Sequence, residues 1–385
     1  MVNDMRAMKA KSTPARPAPL RQNVMVFQGG GALGAYQAGV FEALAERGIE
    51  PDWLVGTSIG AINAALIAGN RPEDRLERLR QFWAGVALDR PFASLMPASG
   101  KPWTPGTATW QAMTRGVPGF YQPRFPLQWD FSRRLPPGQL SVYDTLPLRQ
   151  TLLDLIDFDY LNKGDIRLSL FAVNVSSGLP ARFDNRRDRK PLTPEHIMAS
   201  GALPPGFAPV EIDGQWYWDG GIYSNTPLDI VLDDAERCDT LCFMVDLWDA
   251  SEPIPDTLGD AVMRMKNLQF ASRSHEHLRD HRIMQDLRRA VKRLGEHLPP
   301  ELAQQAEFRR LLDLGCEHSF DIVHLVMKAQ ADEDSFRDVD FSSEALRLRK
   351  ALGLRDGKRA ADYCRRLTFA ADNAGLRVHT VDQDD

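Results

Sequence analysis

The chain has no long apolar run. Nowhere in its 385 residues is there a hydrophobic stretch of the roughly 20 residues that a bilayer-spanning helix needs. Residues 1–21 are basic and rich in proline and alanine, yet lack the apolar core of a secretory signal. Residues 1–22 therefore read as a disordered arm, and any membrane contact is expected to be peripheral. An excess of basic charge is missing too. The 47 Lys and Arg residues face 52 Asp and Glu, a net charge of −5, which argues against a nucleic-acid partner. The four cysteines, Cys238, Cys242, Cys316 and Cys364, lack metal-site spacing and read as reduced thiols. That fits a reducing compartment, so the expected location is cytoplasmic, with the inner membrane surface as a peripheral alternative.

What is present supports a full core: 43% of residues are hydrophobic, and the length allows one large or two medium domains. From Asn23 onward, short apolar strands alternate with helical stretches. Strand candidates are Val24–Gln28, Trp53–Thr57, Arg167–Val175 and Thr240–Leu247. Helix candidates are Gly34–Arg47, Ser58–Gly69 and Pro194–Gly201. This alternation predicts an α/β fold, a mainly parallel sheet covered by helices on both faces. In such sheets the site lies at the carboxyl ends of the strands.

Three motifs occupy such positions. Gly56-Thr57-Ser58-Ile59-Gly60 follows an apolar strand and opens a helix, the strand–turn–helix context of a serine nucleophile elbow. Gly56 and Gly60 leave room for a strained turn, and the hydroxyl lies near the positive end of a helix. Gly29-Gly30-Gly31-Ala32-Leu33-Gly34 follows the first strand. Bare N–H groups beside a helix N-terminus bind anions, including the oxyanion of acyl transfer. Gly29, Gly31 and Gly34 also fit a dinucleotide fingerprint, with Glu50 or Asp52 as a ribose ligand; a serine elbow after the second strand has no use in that reading. Asp219-Gly220-Gly221 ends an aromatic strand. Asp219, shielded by Trp216 and Trp218, could take the serine proton directly. Asp246 and Asp249 are fallback bases.

In this order, the triple-glycine loop, Gly-x-Ser-x-Gly and Asp-Gly-Gly resemble the patatin-like phospholipase family. The stretch His196-Ile197-Met198-Ala199-Ser200-Gly201-Ala202-Leu203-Pro204-Pro205-Gly206-Phe207-Ala208-Pro209 is similar to the block before the family's aspartate. The likeness covers about residues 23–249. It implies a three-layer α/β/α catalytic domain over 23–250 and a Ser–Asp dyad, without histidine, that hydrolyses lipid acyl esters. The dyad falls on Ser58 and Asp219, the oxyanion donors on Gly29, Gly30 and Gly31. The resemblance implies phospholipase A or lysophospholipase character, with no metal or cofactor. Leu33 departs from the pattern, since many members carry Arg or Lys there, and this leaves the headgroup preference open. An esterase or thioesterase on neutral or small acyl substrates is the second reading; a non-catalytic lipid-binding or assembly protein is the third.

Residues 90–140 are dense in Pro and Gly and interleaved with aromatics, a candidate lid or acyl-chain flap with a plain packed insertion as the alternative. Residues 251–385 read as a mostly helical C-terminal region, interrupted by the strand-like Phe320–Ala329. The histidines suit a catalytic triad poorly. His324 reads as a satisfied core residue, and His277 and His281, four apart, as a solvated helix face rather than a zinc pair. Arg186 to Lys190 reads as a surface turn.

Overall fold

The computed structural model describes residues 21–88, 107–125, 132–234, 238–271, 273–328, 336–366 and 375–381. Its centre is a nine-stranded sheet: β1 (Arg21–Phe27), β2 (Trp53–Thr57), β3 (Arg167–Asn174), β4 (Pro180–Asp184), β5 (Val210–Ile212), β6 (Gln215–Asp219), β7 (Asp239–Asp246), β8 (Phe320–Val326) and β9 (Leu376–Thr380). The run β9-β8-β7-β1-β2-β3 is parallel throughout, while β4, β5 and β6 add antiparallel pairings at one side.

The strands are apolar on both faces because both are covered. Val24, Val26, Trp53, Val55, Cys242 and Met244 belong to one cluster, and Met25, Phe27, Leu54, Phe243 and Val245 to the other. Helices α1 (Ala35–Glu46) and α2 (Ile59–Ala68) pack on the second set. The short α4 (Asp229–Leu232), after α3 (Pro194–Ser200), packs on the first. This is the expected three-layer arrangement. The expected strands and helices all form, with ends shifted by a residue or two; β1 starts earlier, at Arg21.

Beyond residue 250 come α5 (Leu258–Ala271), α6 (Arg273–Glu296) and α7 (Ser343–Arg366), as the helical periodicity predicts. Yet β8 and β9 also come from this stretch and extend the main sheet from β7. Helix α7 lies directly on α1. A Cβ on Gly353 would sit 1.9 Å from the Tyr36 carbonyl oxygen, and one on Gly39 would sit 2.1 Å from that of Lys350, so glycine on both helices permits the approach.

Of the candidate lid, residues 89–106 and 126–131 lie outside the described residues, as does the arm up to residue 20. The described part contains the helix Thr107–Arg115 and buried Phe120 and Tyr121.

Candidate active site

Strand β3 acts as a ruler for the site. Its residues Ser169 to Val173 pair with β4, and this occupies one edge. Along the other edge β2 pairs as far as Thr57 opposite Phe171. Ala172 and Val173 then pair with Asp219 and Trp218 of β6 while still pairing with β4. A strand has only two edges, so β6 occupies the one that β2 has just left. Asp219 is thereby laid beside the end of β2, where Ser58 stands.

Ser58 has φ 56° and ψ −124°, a left-handed conformation that side-chain-bearing residues rarely adopt. Local bonds hold it there. Its N–H donates to Ser200 O (3.0 Å) and Ser200 Oγ (3.1 Å), and the Ser200 hydroxyl donates to Phe171 O (2.6 Å). Gly60 is required by proximity: a Cβ there would be 2.3 Å from Phe27 O. Strained geometry held by surrounding structure is characteristic of functional positions.

Asp219 is buried. Its N–H donates to Ala202 O (3.0 Å), and Gly221 N–H donates to its carboxylate (2.7 Å). Burial pushes its pKa up to about 7, while the bonds from Gly221 and the Ser58 hydroxyl hold it down from a higher value. Its shielding differs from the expectation. Residues alternate across a strand, so Trp216 and Trp218 of β6 face away from Asp219, and neither lines the cavity.

The glycine loop faces the same point. A Cβ on Gly29 would lie 3.1 Å from Ser58 Cβ and 2.5 Å from Asn225 Oδ1. Gly31 has φ +55°, and a Cβ there would meet Asp338 O at 2.3 Å. Two donors hold the loop by the Gly29 carbonyl: Asn225 Nδ2 (3.0 Å) and Trp248 Nε1 (2.7 Å). The Gly29 N–H itself donates to Asn225 O (3.3 Å). Below the loop, Gln28 Oε1 accepts from the backbone of Leu247 and Trp248, and its amide donates to Thr226 (2.8 Å). Thr226 donates to Asp246, whose other oxygen pairs with His324 (2.9 Å). Asp246 is thus a support beneath the loop, and Asp249 pairs with Lys328 (2.7 Å). Neither fallback base lines the cavity.

Of the motif glycines, Gly34 packs on Ile59, Gly56 on the Gly60 backbone and Gly220 on Phe171 O. Leu33 is fully buried in the core. Sequence reasoning missed Asn225 and Trp248 as supports of the loop; the signal available for Asn225 was only its place four residues after Gly221.

A cavity of about 160 Å³ opens over Ser58 and Asp219. Its walls include Ile62, Phe120, Leu148, Met198, Phe207 and Phe341, and its charged lining residues among those described are Asp219 and Asp338. No described histidine lines it. His281 is paired with Asp229 (2.7 Å), and His379 with Asp321 (2.9 Å). No group of three metal-ligating side chains occurs among the described residues, and the side chain of His277 lies outside them. No described helix is long and apolar enough to cross a membrane.

A family model described as patatin-like phospholipase matches residues 25–232, more than half of the chain. A second, described as patatin phospholipase, matches residues 268–365. Patatin-like phospholipase domain-containing protein 7 of Rattus norvegicus is 45% identical over 60 residues, 16% of this chain and 4% of that protein. The uncharacterized protein YqhO of Bacillus subtilis (strain 168) is 26% identical over 220 residues, 53% of this chain and 64% of that one. Lysophospholipase nte1 of Aspergillus terreus (strain NIH 2624 / FGSC A1156) is 38% identical over 84 residues, 20% of this chain and 5% of that protein. The chain thus spans less than two thirds of the length of these relatives. Among solved structures, VipD from Legionella pneumophila is 15% identical with a TM-score of 0.38, covering 90% of this chain and 67% of that one. ExoU from Pseudomonas aeruginosa is 17% identical with a TM-score of 0.29, covering 68% and 52%. The first family match runs across the glycine loop, the serine elbow and Asp219, and on that match the chain belongs to the patatin-like phospholipase family.

Proposed function

We propose that the protein hydrolyses acyl esters of lipids through a Ser58–Asp219 dyad. The observation that carries this reading is one arrangement: a strained serine and a buried aspartate lining one cavity, with a glycine loop facing the serine. Asp219 takes the Ser58 proton as Oγ attacks the ester carbonyl. The tetrahedral oxyanion is held by backbone N–H groups of the glycine loop. Gly30 and Gly31 are the better donors, since the Gly29 N–H is turned to Asn225 O. Asp219 then protonates the departing alkoxide, which leaves an acyl-enzyme. A water, deprotonated by Asp219, attacks the acyl carbonyl, and as the bond to Ser58 Oγ breaks Asp219 gives that oxygen the proton. A base with a pKa of about 7 is suited to both taking and returning a proton near neutrality.

The apolar walls suit an acyl chain, and a phospholipase A or lysophospholipase activity fits the family. A neutral lipid ester is the second reading, favoured by the lack of a cation among the described lining residues. Fatty-acid release from lysophosphatidylcholine and from monoacylglycerol, each with wild type and Ser58→Ala, tests both. The reading expects release from at least one substrate and a loss of at least about 10³-fold in the variant. Release that survives Ser58→Ala would overturn it. Strong preference for monoacylglycerol would select the neutral reading.

A further inference from the structure

The cavity has a wall that comes from far along the chain. Residues 337–342 run from the glycine loop to the aromatic cluster. At one end the Asp338 carbonyl lies where a Gly31 side chain would be. At the other, the Phe341 ring packs edge-on against Phe120 (5.8 Å between centroids), which in turn meets Phe207 (6.1 Å). Asp338, Val339 and Phe341 all line the cavity, together with Phe270 of α5.

This strap is anchored on both sides. Arg337 bonds to Glu252 (2.7 Å) and Asn267 (3.0 Å), and Lys266 to Asp338 (2.7 Å). Leu88 N–H donates to Phe341 O (2.8 Å), and Ser343 N–H to Leu88 O (3.3 Å). Phe341 is buried. A wall pinned at each end cannot easily yield to a longer chain, because packed interiors resist added volume.

We propose that the strap 337–342 sets the acyl-chain length the site accepts, with Val339 and Phe341 as the residues that limit it. A dry apolar cavity of about 150 Å³ takes one benzene ring, about six heavy atoms. The cavity of about 160 Å³ therefore holds on the order of six heavy atoms, a short acyl chain. The inference rests on the acyl-hydrolase reading and adds to it the chemical class of acyl group and the part of the chain that selects it.

The test is a chain-length profile: kcat/KM on p-nitrophenyl esters from acetate to palmitate, with fluorophosphonate labelling of Ser58 run in parallel. Wild type is expected to peak near hexanoate. Phe341→Ala opens the wall and should raise the palmitate-to-octanoate ratio about tenfold; Val339→Phe fills it and should lower that ratio by a similar factor. Val339→Phe leaves the Phe341 contact in place, so it keeps the test open if Phe341→Ala does not fold. A Ser58-labelled variant whose profile superimposes on that of wild type overturns the proposal, as does a shift of both variants in the same direction. A wild-type enzyme with no Ser58-dependent turnover of any ester would fail differently, removing the hydrolase reading and this inference with it.

Discussion

Asp219 is a carboxylate buried beside a hydroxyl and a backbone N–H, neither of which is a cation. Its raised pKa has a consequence for stability with a definite sign. Between the ordinary value of 3.8 and about 7, the folded protein keeps a proton that the unfolded chain has released. Stability therefore falls as pH rises through this window and the loss is complete above about 7. The full effect is on the order of 4 kcal/mol. Asp219→Asn carries no ionisable group, so its melting temperature should exceed that of wild type at pH 8, with the gap closing toward pH 4; melts across that range check it. A gap that widens toward acid would mean that the carboxylate is stabilised in the fold. Gly31 supports a second expectation. Alanine there is strained by φ +55° and would press on Asp338 O. Gly31→Ala should reduce kcat about 10²–10³-fold, the scale of a lost oxyanion donor, with circular dichroism close to that of wild type. The side chains proposed to react, Ser58 and Asp219, could be picked out in the sequence because their motifs are local. Asn225, Trp248 and Ser200 act through contacts made only when distant segments meet, and no local pattern marks such contacts.

Among the elements, the parallel strands were readable as short apolar runs and the C-terminal helices from their periodicity. Helix α7 shows where such reading stops. The charged, amphipathic stretches Ser342–Leu352 and Lys358–Ala374 read as two helices, but one helix, Ser343–Arg366, runs through Gly353 and Gly357 between them, and residues 367–374 lie outside the described residues. The role of these two glycines is proximity to α1: a Cβ on Gly357 would sit 2.7 Å from that of Ala43. Gly353→Val should therefore push α7 off α1 and destabilise the protein by about 1–3 kcal/mol or more, read as a lowered melting temperature. Because α7 follows the strap at 337–342, the same variant should also lower ester turnover. Valine tolerated at this position without loss of stability would contradict the close approach of the two helices. The antiparallel β6 was visible as an aromatic run, but its place on the edge vacated by β2 is a matter of pairing that the sequence does not encode locally.

Across the whole molecule, strands from past residue 250 extend the main sheet. β8 pairs with β7 along seven residues, from Phe320 opposite Thr240 to Val326 opposite Asp246. Cutting after Asp249 would bare the β7 edge and remove one wall of the cavity. Such a truncation is expected to aggregate or to unfold without cooperativity, and to lack ester turnover; a soluble, active fragment would contradict the dependence. The helical character of this region was plain from its charge pattern, whereas its two strands joined a sheet whose other members lie far away in sequence.

The central claim is that Asp219 activates Ser58. The most direct measurement is the rate of fluorophosphonate labelling between pH 5 and 9 in wild type, Ser58→Ala and Asp219→Asn. The account predicts a wild-type rate that climbs with pH and levels off above about 7, no labelling of Ser58→Ala, and a rate in Asp219→Asn that is at least about a hundredfold lower and lacks the inflection. Labelling that persists in Ser58→Ala, or a wild-type pH profile retained by Asp219→Asn, would contradict it.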